Sequence, residues 1–441
     1  MLIDPTHLIG EDDQIERVRE ADPLSADMIC ARLPRINANR DVGALLCALR
    51  LLVRNAHGIA GYTMAECLAA MRDLGFVLGS IRRYGVEPTH EVPQVVPVLV
   101  ELGARTGMVP RDTVLHHSIW NPIGARRRTY TGDVQEQRLQ DADRLAFPRF
   151  RALVELCDLL LQHEPVDSKF PVLLQALHHQ FAALTAEVPS PAKINPIFLR
   201  HCLQPFRREI QIAGRAYAGP SQAQLPIWLA DEILWATDRG EPYYEDFRRE
   251  TAGYTLPHWR GRHDGWSRTP SVTTRLLQLF AEQPAETDWL GSALRASANE
   301  LVALLSTMIE YREKQLRLFG WPAPARMPQR PADRSERPAG RPTVGERPDD
   351  IVLHRIVALT RRSIELVRQF LYGLRPDPAL GVSGLADAFA GPWPSHRAAG
   401  WEYLDVDVHP TGAGSTSVSR PTTAPCAVVA ARRTARGPAL D

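Results

Sequence analysis

The constraint that most limits this chain is a helical repeat of apolar residues that returns in segment after segment, with almost no alternating pattern between. From Asp41 to Ala56, the residues Val42, Leu45, Leu46, Ala48, Leu49, Leu52 and Val53 fall on one broad stripe, and Arg50 and Arg54 lie outside it. Thr63-x-x-Glu66 is a capping box opening a second helix that runs through Arg83, with Met71, Leu74, Val77 and Leu78 at helical spacing and a stop at Gly85. Similar stripes predict helices over Val95–Gly103, Asp112–Ile119, Asp133–His163 with a bend at Pro148, Phe170–Ala186, Ile197–Ile212, Leu225–Thr237, Pro242–Glu250, Ser271–Ala281, Trp289–Phe319 and Ile351–Gly373. No alternating run of strand length interrupts them; a short strand near Ala427–Ala430 would have no partner. The expected class is all-α.

The same periodicity sets the organisation. Residues 1–21 read as an N-terminal arm, 22–321 as the main helical domain and 350–375 as a final helix that packs back on it. Between Pro322 and Pro348 seven prolines alternate with arginines and acids, a composition too poor in apolar surface to offset its ordering entropy, so 322–349 is expected to be a mobile connector. Glycine, proline, serine and threonine then dominate to Asp441, so 376–441 is expected to be a disordered tail. Its texture also resembles out-of-frame translation of a GC-rich gene.

With 52 basic against 51 acidic residues, the chain lacks the charge excess that would favour nucleic acid or an anionic membrane. The short run Arg126-Arg127-Arg128 reads as a solvated loop. The six cysteines form no CxxC pair or zinc spacing and read as small thiols of a reducing compartment. An acidic N-terminus broken by Pro5 gives no signal peptide, and no unbroken apolar run of membrane-spanning length is seen, so cytoplasmic residence is expected. A phosphate-cradling glycine loop, GxSxG, HExxH and an EF-hand loop are all absent. Glu87-Pro-Thr-His90 has the spacing of a di-iron ligand pair, but Pro88 argues for a loop. The doublets His116-His117 and His178-His179 diverge by about 100° on a helix, which suggests one core and one surface histidine in each.

Several segments carry unusual residues together: Leu33-Pro-Arg-Ile-Asn-Ala-Asn-Arg-Asp41, Met71-Arg-Asp-Leu-Gly-Phe-Val-Leu-Gly-Ser80, Ser118-Ile-Trp-Asn-Pro122 with Tyr130-Thr-Gly132, Leu203-Gln-Pro-Phe206, Gly214-Arg-Ala-Tyr-Ala-Gly-Pro220 and Leu225-Pro-Ile-Trp228. In this order they resemble the monodechloroaminopyrrolnitrin synthase family, relatives of the indoleamine and tryptophan dioxygenases, from about Asp22 to Gly373. The resemblance implies a helical bundle holding haem b and an indole-sized pocket, and oxidative transformation of tryptophan or a chlorinated aromatic amino acid in secondary metabolism. Trp120, Gly214, Tyr217, Gly219, Trp228 and Trp235 are the candidate pocket residues: the glycines for close backbone approach to a flat cofactor, the aromatics as walls.

One departure bears on the chemistry. In Glu310-Tyr-Arg-Glu-Lys-Gln-Leu-Arg-Leu-Phe319 the position matching the family's proximal histidine is Gln315, whose amide is a weak, neutral ligand for iron. The glycine-rich loop that follows in the family is replaced by the arginine-proline connector. Two alternatives stay open: iron held by His354, His116 or His117, or a haem-free pocket binding a small molecule or acting as a scaffold.

Overall fold

A computed structural model describes residues 12–238, 240, 242–282, 288–320 and 349–371, and helices make up nearly all of their regular structure. The first layer is α1 (Asp12–Glu20), α2 (Asp27–Ala38), α3 (Val42–Asn55), α4 (Met64–Arg83), the single turn α5 (Pro88–Glu91) and α6 (Val95–Thr106). Next come the short α7 (Val114–His117), the long α8 (Val134–Leu161) and α9 (Lys169–Glu187), and α10 (Pro196–Phe198). The remainder is α11 (Ile227–Asp231), α12 (Pro242–Ala252), α13 (Pro257–Trp266), α14 (Val272–Glu282), α15 (Asp288–Leu318) and α16 (Asp349–Leu371). In the second layer α8 packs on α9, α9 on α15, and α15 on α16.

α4 is the axle of the first layer. Thr63 and Glu66 form the expected reciprocal cap, the Thr63 amide donating to Glu66 Oε2 at 2.7 Å and the Glu66 amide to Thr63 Oγ1 at 3.3 Å. Every residue from Cys67 to Ile81 is buried, so the helix has no solvent face. Leu68 and Ala69 face the larger core, shared with α8, α9 and α15, while Leu74, Val77 and Ile81 face a second core with α3 and α6. Neighbours approach its backbone closely at two glycines: a Cβ on Gly75 would sit 2.2 Å from Asp112 Cγ, and one on Gly79 would sit 2.9 Å from Tyr130 Oη.

A helix buried on all sides should not carry charge unless the charge is paired. Arg72 and Asp73 are fully buried and bridge twice, Nε to Oδ1 at 2.7 Å and Nη2 to Oδ2 at 2.9 Å. Arg72 also donates to the carbonyls of Val18, Ala21 and Trp120, and Arg128 reaches Asp73 Oδ1 at 3.0 Å and Asp27 Oδ1 at 2.5 Å. Arg128 is 1% exposed. The arginine run is therefore not a solvated loop: Arg126 pairs with Asp27 and Arg127 with Asp141.

Other expectations need correction. Residues 12–20, read as part of an arm, form α1 with Ile15 and Val18 buried, and α2 and α13 were not anticipated. Glu87–His90 is not a loop, since Pro88 sits at the first helical position, where a missing N–H costs nothing. The helix expected over Asp112–Ile119 shrinks to α7, capped by Thr113. The segment expected as one helix from Ile197 to Ile212 breaks into short turns and ends in a strand. Ile210–Ile212 (β1) pairs antiparallel with Arg215–Tyr217 (β2), and Ala213 and Gly214, at φ 50° and 79°, make the turn. Val42–Gly61 does have the length and apolarity of a membrane-crossing segment, at mean hydropathy 1.3, although Leu45, Leu49 and Leu52 are buried in the second core. Cys30, Cys47, Cys67, Cys157 and Cys202 are all free thiols. The connector over 322–349, the tail over 376–441 and the strand near Ala427–Ala430 lie outside the described residues, apart from Asp349, which opens α16.

Burial works to raise the Asp73 pKa, but Arg72 and Arg128 outweigh it and hold the carboxyl below its usual range. Its contribution to stability is then present above the ordinary carboxylate range and lost as pH falls through the depressed value. Asp73→Ala, which strands two buried guanidinium groups, is expected to remove about 3–5 kcal/mol of stability in urea unfolding at pH 7.

Candidate functional site

A cavity opens where α8, α9 and α15 meet the turn around Gln222. Leu139, Asp143 and Ala146 come from α8, Leu184 and Glu187 from α9, and Tyr311, Gln315 and Leu318 from α15, with Val188, Pro189, Leu225 and Phe319 completing the wall. Its atom-free space, open mouth included, is about 390 Å³, and the mouth is framed by a rim. Half-buried Glu187, Val188, Pro189 and Gln222 form that rim, and Leu139, Asp143, Leu225, Tyr311 and Gln315 are buried beneath it.

Five polar side chains, Asp143, Glu187, Gln222, Tyr311 and Gln315, converge on this largely apolar cavity. Gln222 Nε2 donates to both oxygens of Asp143, at 2.9 and 3.0 Å, and Gln315 Nε2 donates to Tyr311 Oη at 3.0 Å. Burial pushes the Asp143 carboxyl up to about 6, against the pull of Gln222, His117 and Arg207. Burial likewise drives the Tyr311 phenol up, with Asp143 adding to it, so the phenol keeps its proton. Glu187 is raised by burial despite Arg149. An apolar pocket with a few convergent polar groups and a perturbed acid is the form a ligand site takes.

Of the residues expected from the sequence, Gln315 lines this cavity and the others do not. Trp228 and Trp235 are core side chains, with Nε1 atoms donating to Thr255 Oγ1 and Asp231 Oδ1. Trp120 is buried against the edge of His116, ring centroids 4.6 Å apart. Gly214 is a hairpin residue with open space where a Cβ would stand, and Tyr217 packs on the second core. Gly219 does permit a close approach, but to protein: a Cβ there would lie 2.9 Å from Arg111 Nη2 and from Arg207 Cα.

The candidate iron ligands fare no better. Both members of the doublet are buried, not one in the core and one at the surface. His116 Nδ1 accepts the Thr113 amide at 3.1 Å, which puts the ring proton on Nε2 and removes the lone pair an iron would use there. Burial, helped by Arg72, depresses His116 to about 3, so the ring is neutral. His117 packs against Phe76 and Tyr130, which also touch each other, and faces Glu136. His354 is half-buried on α16 and is not part of the cavity wall. Among the described residues no three metal-ligating side chains come together.

These residues do not fit haem b. The cavity wall offers iron no histidine, cysteine or methionine, its phenol is held protonated, and the Gln315 amide is a weak donor already bonded to Tyr311. Two porphyrin propionates would meet Asp143 and Glu187 and no lysine or arginine in the lining.

Sequence reasoning missed Asp143, Glu187, Gln222 and Tyr311. Asp143 left a signal: with Leu139, Ala146 and Phe150 it falls at helical spacing on the buried stripe of α8, where packing calls for an apolar residue. A folded-state value near 6 against about 4 in the unfolded chain makes the native state hold a proton that the unfolded state has released. Stability from this group therefore falls as pH rises from about 4 to about 6. Asp143→Asn keeps an oxygen for Gln222 and is expected to raise stability by about 2–3 kcal/mol at pH 7.5, with almost no gain at pH 4, in urea unfolding at both values.

A family model described as monodechloroaminopyrrolnitrin synthase PrnB matches residues 47–319, more than half of the chain and all of the cavity wall. The chain belongs to the monodechloroaminopyrrolnitrin synthase PrnB family.

Proposed function

We propose that this chain takes a tryptophan-derived aromatic amine or amino acid into the cavity beside Gln315 and acts on or delivers it without histidine-ligated haem. Membership of the family gives it a role in pyrrolnitrin biosynthesis, an antibiotic-forming branch of secondary metabolism served by an oxidative enzyme. The observation that carries the haem-free reading is the cavity wall itself, in which the amide of Gln315, aligned by resemblance with the family's proximal histidine, stands among carboxylates. Nothing in that wall repeats the chemistry of a haem pocket, but its mixture of apolar walls and convergent hydrogen-bonding groups suits a small organic ligand.

A second reading keeps the family's haem b and the oxidation of tryptophan or a chlorinated derivative, with cytoplasmic residence. It is favoured by a family match whose range takes in α15, the helix on which the resemblance places the iron ligand. It requires His354 or another side chain outside the cavity wall to reach iron. The two readings separate in one absorbance spectrum. Protein purified from cells supplied with haem precursor is expected to be colourless and to melt cooperatively. A Soret band that moves on reduction and on adding carbon monoxide would overturn the haem-free reading, and its loss in His354→Ala would name the ligand.

A further inference from the structure

We infer that Asp143 selects the ligand of this cavity by accepting the N–H of the ammonium group of an arylalkyl primary amine, an inference that rests on the cavity being the ligand site. Four aspartates are buried among the described residues. Asp73 pairs with Arg72 and Arg128, Asp112 with Arg111, and Asp231 with Arg312, whereas Asp143 has no ion pair. A buried carboxylate is expensive unless a cation meets it, and packing alone would fill this position with an alanine or leucine. The missing cation is one a ligand can bring.

The rest of the lining agrees in sign. Asp143 and Glu187 are acceptors only, and no lysine, arginine or histidine lines the cavity, so a carboxylate on the ligand would meet like charge. The amide nitrogen of Gln222 is engaged by Asp143 and that of Gln315 by Tyr311. A carboxylate has room for about four hydrogen bonds, so the Gln222 contacts leave Asp143 acceptor capacity to spare. The groups that bear on its charge are Gln222, His117 of α7, Ser118, Arg207 from the turn before β1, Tyr311 of α15 and Glu187 of α9. Apolar Leu139, Leu184 and Leu225 are left to cover the ring.

The test is calorimetric titration of the full chain at pH 7.5 with tryptamine, indole and indole-3-propionate. Tryptamine is expected to bind at least about tenfold more tightly than indole, the worth of one charge-assisted hydrogen bond, and indole-3-propionate more weakly than either. Asp143→Asn should erase the tryptamine advantage, so that tryptamine and indole bind about alike, while Glu187→Gln keeps most of it. As pH falls through about 6 and Asp143 takes a proton, the advantage should shrink in the wild-type chain. Equal binding of the three indoles, or an advantage that survives Asp143→Asn, overturns the inference and leaves the cavity as ligand site. Binding of none overturns both.

Discussion

A single buried carboxylate, Asp73, holds two buried guanidinium groups, and the first layer of the fold is arranged around that contact. Through Arg72 it fixes the carbonyls of α1 and of the segment at Trp120, and through Arg128 it reaches Asp27 at the start of α2. Elements far apart in sequence thus meet on one helix that is covered on every side from Cys67 to Ile81. Hydrophobic burial alone would let those elements slide, because apolar contact is non-directional. Bidentate arginine geometry does not allow it. The close seats at Gly75 and Gly79 then bring Asp112 and Tyr130 against the same helix, and the aromatic stack of Tyr130 with Phe206 carries the order onward to the turn before the hairpin.

Long helices were legible because their apolar stripes run for several turns. α3, α4, α9, α15 and α16 lie within a few residues of the expected bounds. The failures share a cause, since each depends on partners that no local window contains. α1 is short and polar, and it is secured by Ile15 and Val18 against the larger core. α2 carries Pro34 within it, a residue that disfavours a helix interior, and is held by its packing on α4. The hairpin strands are three residues each, and a buried-exposed-buried triplet such as Ile210–Ile212 has no period long enough to separate strand from helix. Arg128 looked like its two neighbours because nothing local reports the carboxylates waiting for it.

The site was legible only at Gln315, and there through family resemblance rather than spacing. The tryptophans and glycines drew attention for the right physical reasons, bulk and backbone freedom, but those properties are used here to fill a core and to seat Arg111 beside Arg207. What marks the cavity is the opposite kind of residue, an acid at a position that packing would make apolar. Such a misfit becomes readable once α8 has been laid against α9 and α15, for only then is it known which face is inward.

The family match ends at Phe319, yet the core does not. Ile356, Leu359, Ile364 and Val367 of α16 are buried in the same cluster as Leu301, Leu304 and Leu305 of α15, and Arg361 clasps Glu313 across the two helices. The unit that folds is therefore longer than the stretch the family model matches. A chain cut after Phe319 would leave an oily furrow along α15 bare to water, and would be a fragment rather than a smaller protein.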